Sequence, residues 1–233
     1  MQPAIPLAAE PGPHVTLVTS QYQRVASQLR ADIIEGVWRQ DARLKVRDLA
    51  AHYGISPAPV REALQQLQGE GLVVLEPNRG ARVRPIDEQL LINVFDVREA
   101  LESFLTARFA AAASPHQIAM VKAIQAEHDA ATEQSDVAAA FALNRRFHEF
   151  INTAARNAEA VEVINRHLGL TRALRLECGF TPARMRTVQQ EHHLLIAAFD
   201  RGDEALARRI AADHVRSSRD DLVERLRPLL KKR

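Results

Sequence analysis

Three histidines fall on apolar stripes that helix packing would bury. Between Asp136 and Arg156 the inward series reads Val137, Phe141, Asn144, His148 and Ile151. Asn144 and His148 are one helical turn apart, so one side chain lies above the other on a single face. Between Thr181 and Arg201 the stripe is Met185, Val188, His192, Leu195 and Phe199, with His193 beside it and expected in solvent. Between Asp203 and Leu226, Leu206, Ile210 and His214 line up. Polar groups left unpaired in a core are costly, so these side chains must have partners. They are either hydrogen-bonded core residues or ligands. Neutral imidazoles together with an amide oxygen suit a divalent metal of zinc, nickel or manganese type. The residue pattern alone leaves both explanations open.

Two arginines also lie on inward stripes, Arg98 after Val94 and Phe95, and Arg175 after Leu168 and Thr171. Arg98 can pair with Glu102 one turn on. It can equally serve as a planar fork for the carboxylate of a small acid. A metal-dependent hydrolase would need an open coordination position and a general base. Glu149 directly follows His148 and so points about a quarter-turn away, and no H-E-x-x-H sequence occurs. No enzymatic activity is expected.

The elements that must carry these residues are helices. Six are expected, over Asp87–Ala113, Pro115–Glu133, Asp136–Arg156, Ala158–Cys178, Thr181–Arg201 and Asp203–Leu226. Ser114-Pro115, Thr181-Pro182 and Gly202-Asp203 are start or stop signals between them. With short loops they should pack as an all-α antiparallel bundle. Arg227 to Arg233 reads as a basic tail, and Met1 to Thr19, with four prolines and no sustained period, as a mobile one.

A different pattern precedes the bundle. Ser20 caps a helix through Glu35, with Tyr22, Val25, Leu29 and Ile33 at helical spacing and Gly36 as its stop. Val46–Tyr53 is a short helix closed by Gly54, where a positive φ is needed. Ser56 can cap the next helix, with Pro57 at its first position, running to about Gly71. Strands Leu72–Leu75 and Ala81–Arg84 follow, joined by the tight turn Pro77-Asn78-Arg79-Gly80. This is a winged helix-turn-helix, whose second helix fits a DNA major groove and whose hairpin is the wing. Arg47 at the turn entry, Arg61 on the second helix, and Arg79 and Arg82 at the wing tip supply positive charge for DNA. A helical hairpin without a nucleic-acid role is the plainer alternative.

Formal charge is only +2 over 233 residues, so charge that binds DNA must be local. One cysteine, Cys178, excludes an intrachain disulfide framework and fits a reducing cytoplasm. No apolar run approaches the roughly 20 residues of a membrane span, and the first residues lack signal-peptide character. A cytoplasmic protein of two domains is expected, divided near Pro85: a tail over 1–19, the winged domain over 20–85, the bundle over 86–226 and a tail over 227–233.

The words GISPAPVREALQQLQGEGLV and NRGARV resemble the DNA-binding domain of the GntR superfamily of bacterial transcription regulators. FHEFI, EHHLLIAAFDRGD and ARRIAADHV, with VREALE near Arg98, resemble the FCD ligand-binding domain of its FadR-like branch, and six helices favour the VanR-like subgroup. The resemblance implies a homodimer on a palindromic double-stranded operator, repressing more commonly than activating and responding to a small carboxylate. It implies DNA contacts at Arg47, Ser56, Arg61, Arg79 and Gly80. It also implies a metal, zinc first and nickel or manganese next, on positions matching Asn144, His148, His192 and His214. The family usually has Asp where Asn144 stands. It also has Arg and Thr after the serine matching Ser56, where this chain has Pro57 and Ala58. Arg98 is implied as a carboxylate clamp, with Arg175 as a second candidate. A regulator sensing the metal itself is the main alternative.

Overall fold

The computed structural model describes residues 20–230 apart from Asn78. The two tails, 1–19 and 231–233, and the tip of the wing lie outside the described residues. Helix α1, Gln21–Ile34, opens on a capping box in which Ser20 Oγ accepts from the Gln23 N–H and the Gln23 side chain accepts from the Ser20 N–H. Its buried face, Val25, Ala26, Leu29 and Ile33, packs on the third helix. Strand β1, Arg43–Leu44, leads into α2, Val46–Tyr53, which Gly54 closes at φ 65°. Helix α3, Pro57–Gly69, carries Val60, Leu64 and Leu67 inward. Ser56 stands at its N-cap with extended backbone, but its hydroxyl makes no capping hydrogen bond, contrary to expectation.

The wing has three strands, where two were expected. Strands β2, Val73–Glu76, and β3, Gly80–Val83, form the hairpin, and β1 adds to the other edge of β3, all antiparallel. Two residues carry no periodicity, so nothing in the sequence marks β1. Its presence explains Gly80, which has φ 91°: a Cβ there would come within 2.2 Å of the Leu44 carbonyl oxygen. Arg82 is not at the wing tip. It sits mid-strand and its Nε donates to Glu76 at 2.9 Å.

Six helices follow: α4 (Glu88–Ala112), α5 (Pro115–Glu133), α6 (Val137–Ala154), α7 (Ala158–Cys178), α8 (Pro182–Asp200) and α9 (Glu204–Leu230). Asp87, Ser114, Asp136, Asn157 and Thr181 each accept a hydrogen bond from the first turn of the helix they precede. Helix α9 continues past Leu226 through Pro228, correcting the expected tail. Near a helix end the proline forfeits one hydrogen bond while its fixed φ remains helical, and Arg227 is held to Glu88 at 3.1 Å.

The apolar core runs across the boundary expected near Pro85. Leu29, Leu64, Leu67 and Val83 belong to the same buried cluster as Leu91, Phe95, Leu174 and Leu222. Helix α7 makes the tightest crossing. Gly169 lies so close to the end of α3 that a Cβ on it would meet the Gly69 carbonyl oxygen at 2.8 Å and Glu70 Cα at 3.1 Å. A second cluster, around Phe109, Phe147, Ile151, Leu195 and Phe199, fills the bundle between α4, α5, α6, α8 and α9. The expected α8 stripe is buried at every position, from Met185 to Phe199. In α6 the stripe is rotated: Val137 is 45% exposed, while Phe147 is fully buried.

Candidate functional site

Helices α6, α8 and α9 bring His148, His192 and His214 together, with one ring nitrogen of each within 4.8 Å of the others. His192 Nε2 and His148 Nε2 are 3.2 Å apart. Two nitrogen ligands of one tetrahedral zinc, each bonded at about 2.0–2.1 Å, would be separated by roughly 3.3 Å. His192 is fully buried and its ring stacks on Phe147, with centroids 4.0 Å apart. Burial first, then neighbouring positive charge, holds the His148 and His192 imidazoles well below their ordinary value and so neutral. His193 is exposed and faces Asp129 at 3.0 Å instead.

Residues not singled out in the sequence set the ring tautomers. Gln125 on α5 donates its Nε2–H to Asp129 Oδ1 at 2.7 Å, which leaves its Oε1 to accept from His192 Nδ1 at 2.7 Å. Glu191 Oε2 takes His214 Nδ1 at 2.7 Å, and Arg184 holds the same carboxylate through both oxygens at 2.9–3.0 Å. With a proton on each Nδ1, the Nε2 lone pairs of His192 and His214 are free to ligate, the arrangement that carboxylate and carbonyl partners impose on metal-binding histidines. Gln125 and His128 are buried polar residues three apart on α5, and the reasoning applied to the other helices could have found them.

Asn144 stands one helical turn before His148 on α6 and lines the same cavity. Its Oδ1 is buried and has no hydrogen-bond partner among the described residues. A buried amide oxygen without a donor costs about 1–3 kcal/mol, and a cation beside His148 would satisfy it. The residues present fit a divalent metal.

Asn144 and His148 line one wall of a cavity of ≈ 730 Å³, counted out to solvent, that also meets Arg98, Arg172 and Arg175. Arg98 is buried; its Nε donates to Glu102 at 2.7 Å and its Nη1 to Thr171 Oγ1 at 3.4 Å. Arg175 is bound to Asp221, donates to the Ser218 carbonyl at 2.7 Å and lies over the Phe180 ring. Desolvation lowers its pKa to about 10, against the raising effect of Asp221. Glu149 is exposed, yet it lines the same cavity.

The winged domain presents a second concavity, between α3 and the wing. Arg47, Arg61, Arg79 and Gly80 line it, as do Arg43 and Lys45, which were not anticipated because β1 was not. The Arg47 side chain is 92% exposed. Ser56, at the N-terminus of α3, is exposed but does not line this groove. Arg82 is committed to Glu76, and Arg43 approaches the same carboxylate at 3.3 Å.

A basic groove flanked by a helix and a wing, joined to a helical domain with a histidine cluster, defines a class of winged DNA-binding protein. Residues 21–83 match the model of bacterial regulatory proteins, gntR family, and residues 93–217, more than half of the chain, match the FCD domain. The chain belongs to the gntR family, in its FCD-domain branch. It is 28% identical over 195 residues to the "Probable D-xylose utilization operon transcriptional repressor" of Paenarthrobacter nicotinovorans, covering 82% of this chain and 85% of that one. It is 39% identical to the HTH-type transcriptional repressor GlaR of Escherichia coli K12 over 77 residues, only 33% of this chain and 35% of that protein. In fold it is similar to Listeria monocytogenes Lar (TM-score 0.70, 16% identity, 88% of this chain and 98% of that one). The E. coli protein McbR/YncC is also similar (TM-score 0.63, 24% identity, 89% and 99%). Among the described residues no helix is long and apolar enough to cross a membrane.

Proposed function

We propose that this chain is a transcriptional repressor whose operator affinity is set by a small carboxylate bound beside a divalent metal in the helical domain. The family supports DNA binding by the winged domain, and of the relatives named above GlaR is named a repressor and the Paenarthrobacter nicotinovorans protein a probable one. The observation that carries the effector reading is the unsatisfied Asn144 Oδ1 beside His148, on the wall of an arginine-lined cavity. A divalent ion, zinc first, held by His148, His192, His214 and Asn144 would give a Lewis-acid anchor for a ligand carboxylate. Arg98, already oriented by Glu102 and Thr171, would hold the acid from the opposite side. Arg175, whose Nη1 and Nη2 are held by Asp221 and Ser218 while its buried Nε has no hydrogen-bond partner among the described residues, would shape the cavity first.

On the DNA side, Arg61 would reach into the major groove while Arg47, Arg79 and the Gly80 backbone meet phosphates, Ser56 lying near the helix entry. A homodimer would place two such heads on a palindromic operator. Ligand binding would then favour one placement of the heads over another, a population shift carried by α7, which contacts both the cavity and α3.

A gel-shift titration on the operator, with zinc-loaded and chelator-treated protein and with or without small carboxylates, tests this reading. Release by an acid at fixed metal is expected. Release that follows metal alone, with every acid silent, would leave a metal sensor in its place.

A further inference from the structure

Not every cation around the cavity has an anion. The pairs Arg98–Glu102 and Arg175–Asp221 are closed within the protein. Arg172 is half-buried on the cavity wall and makes no hydrogen bond or ion pair among the described residues. Arg145 reaches the lining from an exposed position and makes no hydrogen bond or ion pair among the described residues, and Glu149, also exposed, is the one lining carboxylate left to set against the two. Burial, then the charges of Arg145 and Arg98, pull the Arg172 pKa down, with Glu149 and Glu102 opposing. A guanidinium kept partly from water without a counter-ion is costly, and it has five donors to offer a ligand.

We propose, resting on the carboxylate-and-metal reading above, that the effector is a dianion, a small dicarboxylate whose second carboxylate is recognised by Arg172 with Arg145 beside it. One end of the ligand sits at Asn144 and His148 and the other meets the unpaired guanidiniums. The charge balance favours this over a monoacid. A divalent ion on three neutral imidazoles and a neutral amide adds two positive charges to the arginine excess, and a single carboxylate would leave most of that uncompensated. Arg172 is thereby the residue that selects ligand charge, and Arg98 the residue that orients the carboxylate at the metal.

The test uses the zinc-loaded full chain and calorimetric titration with succinate, glutarate and adipate, each against the monoacid of equal carbon number: butyrate, pentanoate and hexanoate. Zinc content is measured before and after, so that chelation is not mistaken for binding. At least one diacid should bind about tenfold or more tighter than its monoacid. In Arg172→Gln that preference should vanish while monoacid affinity stays as in wild type, and Arg172→Lys should recover part of it. Because an unpaired charge is removed, Arg172→Gln should melt no lower than wild type. Equal affinity for diacids and monoacids in the wild-type protein would overturn the proposal, with no variant needed. So would an Arg172→Gln protein that loses affinity for both classes alike. Binding of neither class would overturn the carboxylate reading as well, whereas monoacid binding without diacid preference would sink the dianion proposal and leave the carboxylate reading standing.

Discussion

His192 Nε2 and His148 Nε2 face each other at 3.2 Å while Gln125 Oε1 holds the opposite nitrogen of the His192 ring at 2.7 Å. The amide oxygen can only accept, so the His192 proton is on Nδ1 and a lone pair is directed at His148. Such a contact is satisfied by a proton on His148 Nε2 or by a shared cation. The free lone pair of His214 and the orphaned oxygen of Asn144 favour the cation.

His192→Ala should abolish zinc retention, and His193→Ala should not, because only His192 lies in the cluster. Gln125→Leu should keep the three imidazoles and still lower zinc affinity by about 10–100-fold, the usual cost of losing a group that orients a ligand. Elemental analysis after dialysis and a competitive zinc titration decide both points. Loss of zinc in His193→Ala would mean that the wrong face of α8 has been assigned.

Asn144→Asp should tighten zinc binding in the absence of any acid and weaken its dependence on one. Glu191 supplies a negative charge nearby, but Arg184 pairs with it, so the ligand set remains close to neutral. An aspartate of the same reach adds a permanent anion, which then competes with the effector's carboxylate for the same charge. Zinc titrations with and without succinate measure this; unchanged affinity in Asn144→Asp would place the side chain outside the coordination sphere.

Metal-free protein should lose stability on acidification below about pH 6.5. Burial depresses the folded-state pKa of His148 and His192, so between that depressed value and the unfolded one the unfolded chain binds more protons. Stability is therefore fully present above about pH 6.5 and falls as pH drops, by up to about 1.4 kcal/mol per pH unit for each imidazole. Urea melts of chelator-treated protein across this range give the slope, and the double variant His148→Gln/His192→Gln should flatten it.

Arg98→Ala should cost both stability and effector response. Removing one partner of a buried ion pair leaves Glu102 uncompensated, at about 3–5 kcal/mol. The double variant Arg98→Ala/Glu102→Ala should regain much of that stability without regaining the response. Melting curves and gel shifts on the same preparations separate the two roles. A double variant that still responds to acid would assign Arg98 to structure alone.

In the DNA groove, Arg79→Ala should weaken operator binding evenly across sequences and reduce the salt slope by about one. Arg61→Ala should relax sequence preference, at about 1–3 kcal/mol if its contact is bidentate. With Pro57 and Ala58 where the family resemblance implies Arg and Thr, selection from a random pool should yield a half-site unlike the family's usual one. Arg82→Ala should act on the wing, because its guanidinium is held by Glu76.

Local rules made much of this legible. Helix α8 could be read residue by residue because its buried positions, from Met185 to Phe199, repeat at helical spacing. Gly54 and the caps at Ser114 and Thr181 were visible because each needs a particular residue type. What escaped depends on tertiary neighbours. Asp221 lies 46 residues from Arg175, and nothing in the local sequence pairs them. Gln125 could be read as a polar residue on an inward face, but that it partners His192, 67 residues on, follows only from the packing of α8 on α5. The α6 stripe was misplaced because Phe147, next to His148, anchors against the His192 ring, rotating Val137 outward.

Gly169 sets how faithfully the two halves of the molecule can communicate. Side chains between packed helices act as springs, because rotamers yield before backbones move. At Gly169 there is no spring: the α7 backbone bears on Gly69 and Glu70, at the end of the recognition helix. Thr171 and Arg172, within a turn of that contact, line the cavity. A slide or roll of α7 that accommodated a ligand would therefore be passed to α3 directly, as a cam drives its follower.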